Sequence, residues 1–594
     1  MSNEDKFFNN PRVNEYNSRF LGISAINPWL NNISSPRVQM VNSQLQQILP
    51  VKDATDKRTF TGVESQFGRY TFSKTAPEDC EVLKLIPRYP PKVGDKRDNP
   101  ETLAIIEYDE QLSDGSLVKT IDCIEMHSHQ FMHHTFGRPY NYHYTDKNFP
   151  GTLEKGEPIA SSQSISETGS YRFGLEANIA MMSVPQVTED GVVASKSFCE
   201  RMRTTGMQSF VFSFGKKEFP LNLYGDEQNY KFIPDIGERV DEKGILAALR
   251  RYSNSSQIAC APVDMSVSNV RKIDHLYDRC VYATPNARVV DVRVQHDCRY
   301  RTGVSKSSRS RSVPQTPTHI AEQAYKYWSQ EVDFYQELLE YYQRLKKSNP
   351  GIRLSRRLHR YIVEAQAMAA VNTRSELRIK YNYLWEPIDE WRVEVMVEYD
   401  VVPTIGFKLS ALHGDKSVIV DVVDDEDMPV DDAGNRAELI VDGLSTIKRM
   451  NISRVYEQYI NACSRDVTLK LQQMWSNGAD YKSLSDYLSG YYQIVTPRML
   501  DLVSDGELVY KEHLDHVLEN GIYLWVPNDN EPEIADIIKQ LNEHYPPVFT
   551  PVQYRDTGGN WVRTVTPILI GSMYIILLEK TGQNWQAVST SKLN

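Results

Sequence analysis

The most constraining feature of this sequence is an alternating apolar and polar run from Val393 to Val402, followed closely by a second apolar run, Val418-Ile419-Val420. Alternation with a period of two predicts a half-buried strand, so two strands with a short connection are expected here. The connection carries Lys408 and Lys416. Two such cations can hold neighbouring phosphates of a polyanion as point charges. The alternative is two exposed lysines on an ordinary loop.

The composition predicts a soluble globular protein of several domains. The chain has 594 residues, of which 40% are hydrophobic and 24% are charged. No stretch approaches the roughly 20 apolar residues that a membrane span needs, and the N-terminus lacks the basic start and apolar centre of a secretory signal. The seven cysteines include no C-x-x-C pair. Neither a disulfide framework nor a zinc ribbon is therefore indicated, and a reducing, cytoplasmic compartment is expected.

The net charge limits the classes of nucleic-acid-binding protein that fit the sequence. At −11, it argues against a protein that coats nucleic acid without specificity. It does not exclude an enzyme whose basic residues are concentrated in one channel, because phosphate binding needs only a local patch.

Periodicity and breakers predict the other elements. Regions 70–150 and 151–215 are expected to be mainly β, and 299–317 is a basic Ser/Arg/Pro stretch typical of a mobile loop. Helical patterns are separated by breakers such as Asn349-Pro350-Gly351. The predicted helices are Arg37–Leu49, His319–Lys347, Ile352 to about Thr373, a helical region from an N-cap at Ser453 to about Leu488, and Glu531–His544, with a hairpin around Asp556–Gly559.

The lysine run continues into further motifs. Asp427-Met428-Pro429, Asp442-Gly443-Leu444 and the run Lys448-Arg449-Met450-Asn451-Ile452 follow it in order. Together these segments resemble the part of the β subunit of multisubunit DNA-directed RNA polymerases that carries two active-centre lysines. The resemblance implies that Lys408 and Lys416 hold the RNA 3′-end phosphate and its neighbours.

Two arginines match positions that bind the incoming nucleotide in that family. The segment Arg37 to Pro50 resembles the family's helix beside the nucleotide site, although alone it would be an ordinary amphipathic helix. The resemblance implies that Arg37 and Arg449 hold the triphosphate, and a guanidinium fork suits such bidentate contact. The helix departs from the family at Ser43 and Gln46, where Asn and Arg are usual.

A third block, Leu153 to Met202, resembles the family's segment with an acidic pair ahead of a short helix. The pair is Glu189-Asp190, and the predicted helix is Ser195 to Met202. In the family the pair lies near the second catalytic Mg²⁺ and acts on it largely through water. Outside such a context, two adjacent carboxylates are most often a solvated turn.

The Asp-x-Asp-Gly-Asp motif that holds the first Mg²⁺ in these polymerases is absent from the sequence. Asp421, Asp424, Asp425, Glu426 and Asp427 form an acidic cluster, but their spacing is different. Because the motif belongs to the β′ subunit in the family, Mg²⁺ is expected to be held mainly by a β′-type partner. Alone, this chain is not expected to polymerise RNA.

The histidines leave two questions open. Five cluster between His127 and His143 with Cys123 nearby, which could indicate zinc, but the spacing is not that of a zinc finger. This segment also resembles a plain strand-and-loop part of the family. His413, between the two lysines, is expected to be a packed or loop histidine rather than a general acid.

The resemblance implies a mixed α and β, β-rich fold with a double-psi β-barrel core, built from blocks near 150–200 and 390–450, together with flap and hybrid-binding regions. The predicted regions are a fork-like segment with the nucleotide-site helix (1–70), a β-rich region with the first part of the barrel (71–215), a connecting region (216–290), a flap-like region with the basic loop (291–390), the second part of the barrel (391–452) and a helical and C-terminal β region (453–594).

The expected function is that of the C-terminal portion of a split β subunit, resembling those of giant tailed phages, in a nucleotidyltransferase that acts in the infected host's cytoplasm or in the virion. The expected partners are β′-type subunits, an N-terminal β fragment with protrusion and lobe, an initiation factor at the flap, template DNA, RNA and NTPs. The sequence leaves open a catalytically silent subunit and a nucleic-acid-binding protein without a β′ partner.

Overall fold

The fold is taken from a computed structural model of the chain. The structure describes residues 22–65, 73–90, 99–111, 115–132, 135–166, 169–215, 217–252, 271–297, 316–369, 378–381, 384–387, 389–503, 507–526 and 534–581. The predicted basic loop at 299–317 falls almost entirely outside these ranges, as do His133 and His134.

The described helices are α1 Ser35–Leu45, α2 Lys196–Arg201, α3 Thr318–Ser348, α4 Arg356–Ala369, α5 Gly443–Lys448, α6 Ile452–Ser476, α7 Tyr481–Val495, α8 Arg498–Val503, α9 Glu507–Asn520 and α10 Ile534–His544, with short 3₁₀ turns at Gly22–Ile26, Leu30–Asn32 and Asp425–Asp427. None of these helices has the length and apolar character needed to cross a membrane.

The described strands are β1 Thr59–Phe60, β2 Ser73–Thr75, β3 Cys80–Pro87, β4 Glu101–Gln111, β5 Leu117–His127, β6 His129–Phe131, β7 Gly137–Tyr142, β8 Thr152–Leu153, β9 Pro158–Ser162, β10 Leu175–Met181, β11 Gly191–Ser195, β12 Thr204–Phe214, β13 Glu218–Pro220, β14 Ile245–Arg251, β15 Arg279–Tyr282, β16 Arg288–His296, β17 Arg353–Leu354, β18 Arg378–Tyr381, β19 Leu384–Pro387, β20 Trp391–Val401, β21 Lys408–Ala411, β22 Lys416–Val423, β23 Leu439–Val441, β24 Leu524–Trp525, β25 Gln553–Arg555, β26 Trp561–Arg563 and β27 Ile570–Leu577.

The chain divides into two compact units, each built from separate stretches of sequence. The first unit comprises Met1–Ser73, Ser161–Thr204 and Val401–Asn594. The second comprises Lys74–Ala160 and Thr205–Asp400. The fold is mixed α and β, as predicted. The boundaries of the six regions inferred from the sequence stay predictions.

The first unit is built around a closed barrel of six strands, in the order β10-β23-β11-β22-β21-β27. The pairing is mixed: β11 runs parallel to β22 and antiparallel to β23, whereas β10 runs parallel to β23 and antiparallel to β27. The strands are rich in Val, Ile, Leu and Ala, and every residue of β11 and β23 is buried. Such short apolar runs are typical of strands covered on both faces.

Helices of the first unit form a core beside this barrel. Helix α6 contacts β27, and its apolar side chains join those of α7, α9 and α10 in one core. The same core includes Tyr574 of β27, Trp29 and Leu412. Leu412 belongs to the turn between the two lysines, so the helical core extends directly to that turn.

The second unit combines sheets with two long helices. A five-stranded sheet has the order β17-β5-β4-β3-β8, and β12-β20-β16 form a three-stranded sheet. Helix α3 packs against α4, β3 and β16. The two helices are separated at Asn349-Pro350-Gly351, where the sequence predicted a break, and strand β17 lies between this break and α4.

Several local predictions are confirmed and two are wrong. The alternating strand is observed as β20, and the predicted C-terminal hairpin is β25-β26. The N-cap prediction at Ser453 is wrong, because α6 begins at Ile452 after Asn451. The lysines do not lie on a connection: Lys408 begins β21 and Lys416 begins β22, so the segment is strand, turn and strand. The run Leu409-Ser410-Ala411 is too short to reveal a strand by its pattern.

Candidate functional site

The two lysines lie at one end of the barrel on neighbouring antiparallel strands. In the register of β21 and β22, Lys408 pairs with Val418 and Ser410 pairs with Lys416. The connection between the strands is the tight turn Leu412–Asp415, hereafter the lysine turn. Lys408 is half-buried and Lys416 is exposed. The chain therefore carries both cations on regular backbone, with their separation set by the hairpin.

The acidic pair Glu189-Asp190 lies near the lysines because β11, the strand that follows the pair, is paired with β22. Gly191, the first residue of β11, pairs with Val418, which pairs in turn with Lys408 on the next strand. The carbonyl of Asp190 accepts a hydrogen bond from the Val418 N–H at 2.8 Å. Since neighbouring strands are about 4.8 Å apart, the backbone of Glu189-Asp190 lies within about two strand spacings of Lys408.

Arg449 lies at the same end of the barrel, after β23, which is the strand on the other side of β11. Strand β23 ends beside Val192, and the Asp442 carboxylate caps α5 by accepting from the Leu444 and Ser445 N–H groups at 3.1 and 3.2 Å. Arg449 follows this helix, and its Nη1 lies 2.6 Å from Asp190 Oδ1. The ion pair links the predicted triphosphate-binding arginine to the predicted metal-site carboxylate.

Arg37 is brought to this end of the barrel by α1. Its Nη1 donates to the carbonyl of Gly414 in the lysine turn at 2.9 Å. Gln44, on the same helix, accepts from the Ser410 hydroxyl at 2.8 Å. Helix α1 therefore packs directly on the lysine hairpin, although hundreds of residues separate the two in sequence.

The structure thus brings together all six residues singled out from the sequence, namely Arg37, Glu189, Asp190, Lys408, Lys416 and Arg449. Among the described residues, neither lysine ammonium forms a hydrogen bond or an ion pair, and the exposed Glu189 carboxylate likewise forms none. Arg449, by contrast, is paired with Asp190. The barrel end therefore presents two cations that have no partner among the described residues and are available to an anionic ligand.

His413 is a packed histidine, as expected. It is fully buried, with Nδ1 2.9 Å from Ser453 Oγ and Nε2 2.5 Å from Glu457 Oε2. Both ring nitrogens are therefore occupied by groups of helix α6. His413 has no access to a ligand outside the protein core, which is inconsistent with a general acid.

The acidic cluster that follows β22 has structural partners. Asp425 accepts from the backbone N–H of Ser197 at 3.3 Å and from its hydroxyl. Asp424 pairs with Lys196 at 2.6 Å, and Asp427 pairs with Arg555 at 3.1 Å. Within the described ranges, no group of three or more His, Cys, Asp or Glu side chains is arranged to hold a metal ion. Glu189 and Asp190 could therefore supply only part of a metal's ligand set.

His129, in the described part of the His127–His143 cluster, has protein partners for both ring nitrogens. His129 Nε2 lies 2.6 Å from Glu398 Oε2, and its Nδ1 lies 3.0 Å from Ser128 Oγ. The Glu398 carboxylate lies between His129 and Arg288, and these partners lower its pKa to about 2 despite its burial. His129 is thus part of an ion-pair and hydrogen-bond network of the second unit.

The close contact between α1 and the lysine turn makes Gly414 a sensitive position. Gly414 has φ +75°, and a Cβ there would lie 2.9 Å from the Arg37 carbonyl oxygen. Gly434 is the matched control, because it has φ +87° and open space around it. Both alanine variants carry the left-handed backbone cost of about 1–2 kcal/mol, but only Gly414→Ala also displaces α1.

We therefore expect Gly414→Ala to lower the free energy of unfolding by at least about 1 kcal/mol more than Gly434→Ala. Urea denaturation measures the difference, and amide hydrogen exchange shows whether protection of α1 is lost. Equal destabilisation with an unchanged α1 would contradict the packing described for this end of the barrel.

Sequence reasoning missed the residues that support the site. Ser453, Glu457 and Asn461 are buried polar residues four positions apart on α6. Strand β27, which closes the barrel between β10 and β21, was not expected to be part of it. The helical spacing of the three polar residues gave no usable signal, because a polar stripe on an amphipathic helix normally indicates its exposed face. The pairing of β27 left no local signal.

Comparison with known protein families identifies a matching family model. The family described as RNA polymerase Rpb2, domain 6, matches residues 167–580, which is more than two thirds of the chain. The matched range includes all six barrel strands, the acidic pair, both lysines and Arg449, whereas Arg37 lies outside it. The chain therefore belongs to the RNA polymerase Rpb2 domain 6 family and is a β-type subunit of a multisubunit RNA polymerase.

Proposed function

We propose that this chain positions the NTP and the RNA 3′ end for nucleotidyl transfer in a multisubunit DNA-dependent RNA polymerase. The observation that carries the proposal is the pair of lysines at the barrel end, which have no carboxylate partner among the described residues. Elsewhere in the same unit, cations such as Arg201 and Arg563 are paired with carboxylates. Uncompensated lysines on a rigid hairpin suit a ligand that supplies successive phosphates.

In this proposal the lysines hold the RNA and the arginines hold the triphosphate. Lys408 and Lys416 neutralise the phosphates at the RNA 3′ end, and their spacing on one hairpin keeps that end in register. Arg449 and Arg37 contact the NTP phosphates from the two sides of the hairpin. Fixed charges of this kind supply most of the stabilisation in phosphoryl-type transfer.

The Arg449–Asp190 pair sets the orientation of the guanidinium toward a bound phosphate. At 2.6 Å the carboxylate occupies part of the guanidinium fork, leaving the remaining N–H groups for a phosphate. Asp190 thereby orients Arg449 before the NTP arrives. The side chain of Glu189, exposed beside it, faces no competing partner among the described residues.

Mg²⁺ supplies the Lewis-acid chemistry of this reaction class when it is bound. In the described structure, no third acidic, His or Cys ligand lies beside the carboxylates of Glu189 and Asp190. These two residues are therefore suited to contact the metal through bound water rather than directly. We propose that the direct ligands come from a β′-type subunit. The active enzyme is then the complex.

The finer identity of the chain follows from the resemblance described above. We propose that the six-stranded barrel has the double-psi topology, which its mixture of parallel and antiparallel pairs supports. We also propose that the chain is the C-terminal portion of a split β subunit of giant-phage type. A second β fragment with protrusion and lobe, an initiation factor at the flap, template DNA and RNA would complete the complex in the infected host or in the virion.

Reconstitution tests the proposed function. The chain is expected to co-purify with a β′-type subunit, and the complex is expected to extend an RNA primer on a DNA template in the presence of Mg²⁺. The isolated chain is expected to extend none. Native isolation of a monomer without a β′-type partner would contradict the proposal, and so would an assembled complex that extends RNA without this chain.

A further inference from the structure

The lysine turn is held by buried polar groups of helix α6. His413, at the middle of the turn, lies between Ser453 and Glu457, which are one helical turn apart. A carboxylate can only accept, so the His413 Nε2–H donates to Glu457, and in a neutral ring Nδ1 accepts from the Ser453 hydroxyl. This arrangement fixes both the tautomer and the orientation of the ring.

Glu457 connects three elements of the first unit. Its side chain is 2% exposed, and while Oε2 accepts from His413, Oε1 accepts from the Tyr574 N–H of β27 at 3.0 Å. Strand β27 pairs in turn with the lysine-bearing strand, with Leu577 opposite Leu409. One buried carboxylate therefore ties helix α6 to the turn and to the strand beside Lys408.

The other end of the turn is fixed in the same way. Asp415, directly before Lys416, lies 3.4 Å from Arg454 Nη1, and both side chains are buried. The Ser410 hydroxyl approaches the Asp415 carbonyl at 2.5 Å and closes the turn. Helix α6 thus holds His413 and Asp415 of the turn, the latter directly before Lys416, through Ser453, Arg454 and Glu457, all in its first two turns.

We propose that Glu457 is a positioning residue of the active centre, which acts through His413 to set the separation of Lys408 and Lys416. The inference depends on the proposed function, because that separation matters only if the two lysines hold RNA phosphates. A buried carboxylate is a costly way to stabilise a turn, since an apolar replacement of similar size is often neutral or stabilising. Its two directed hydrogen bonds instead specify one geometry of the hairpin.

The test uses the reconstituted complex and three variants of the full chain. Glu457→Ala removes both contacts. Glu457→Gln can retain them: the amide oxygen accepts from Tyr574, and the amide N–H donates to Nε2 once the ring proton moves to Nδ1. Ser464→Ala is the control: Ser464 lies on the same helix as Glu457, and its loss removes a buried hydrogen bond to Tyr491 of α7 without touching the turn.

We expect Glu457→Ala to raise the KM for a short RNA primer or to lower kcat by about ten- to hundredfold, because small misplacements of positioning groups are that costly. The KM for NTP is expected to rise less than the KM for primer, since Arg449 is held by Asp190 away from the turn, whereas Arg37 contacts the turn through the Gly414 carbonyl. Glu457→Gln is expected to recover most of the activity, and Ser464→Ala to match the wild type.

The inference is overturned if Glu457→Ala behaves like Ser464→Ala in an active complex, or if the KM for NTP rises as much as the KM for primer. If the Glu457→Ala chain does not assemble into the complex, the Asp415→Asn variant provides the same test at the other end of the turn. It is expected to affect the primer selectively in the same way. A wild-type complex that assembles but extends no RNA would contradict the proposed function itself, and the inference with it.

Discussion

Replacing both Lys408 and Lys416 by alanine is expected to abolish RNA extension while leaving the complex assembled. Each ammonium is proposed to hold a phosphate at the RNA 3′ end, and a hydrogen bond to a charged group contributes about 1.5–3 kcal/mol. Loss of two such contacts corresponds to about 10²–10⁴-fold in rate. The measurement is single-turnover primer extension at saturating NTP.

The matched control is the double change Lys470→Ala and Lys482→Ala. Both of these lysines are exposed on helices of the same unit, and Lys470 lies about 27 Å along α6 from its first residue, at 1.5 Å per residue. This control removes the same charge and is expected to extend RNA normally. Normal extension by the Lys408 and Lys416 double variant would instead favour a catalytically silent subunit.

Changing Arg449 is expected to affect the nucleotide rather than the RNA. Arg449→Ala should lower kcat/KM for NTP by about ten- to hundredfold, since one charge-assisted contact of about 1.5–3 kcal/mol is lost. Arg449→Lys should recover little of it, because a lysine cannot pair with Asp190 and a phosphate through one planar fork. Steady-state kinetics with NTP varied at saturating primer measure both effects.

Arg555→Ala is the control for this pair. Arg555 and Asp427 form an ion pair at 3.1 Å on the same unit, with side chains 47% and 29% exposed, compared with 30% and 37% for Arg449 and Asp190. Loss of an exposed pair costs about 1 kcal/mol or less, so nucleotide kinetics are expected to be unchanged. A normal KM and kcat for NTP in the Arg449→Ala enzyme would show that Arg449 is not part of the proposed site.

Local features of the fold were predictable from the sequence, because they depend on patterns a few residues long. The alternation around Val393–Val402 predicted β20, and Asn349-Pro350-Gly351 predicted the break between two helices. The role of β27 was not predictable in this way. Its pairing with β10 and β21 joins residues separated by more than 150 positions, and the mostly apolar pattern of the strand does not indicate which strands it pairs with.

The candidate site was predictable in part. Resemblance supplied the six residues, and strand register then explained why Gly191, Val418 and Lys408 lie side by side. The supporting residues were missed because their signal is tertiary. Serine is a residue type that often caps the N-terminus of a helix, yet the Ser453 hydroxyl forms a hydrogen bond with His413 instead. Glu457 would be an ordinary exposed helix residue if the lysine turn did not pack on it.

The most direct test of the central claim is photocrosslinking of an RNA primer that carries 4-thiouridine at its 3′ end, in the complete complex with template DNA. Mass spectrometry then locates the attached residue. The account predicts crosslinks on the lysine hairpin, between residues 408 and 416, and their loss when an unlabelled primer competes. Crosslinks confined to the second unit or to partner subunits, with none on this hairpin, would contradict it.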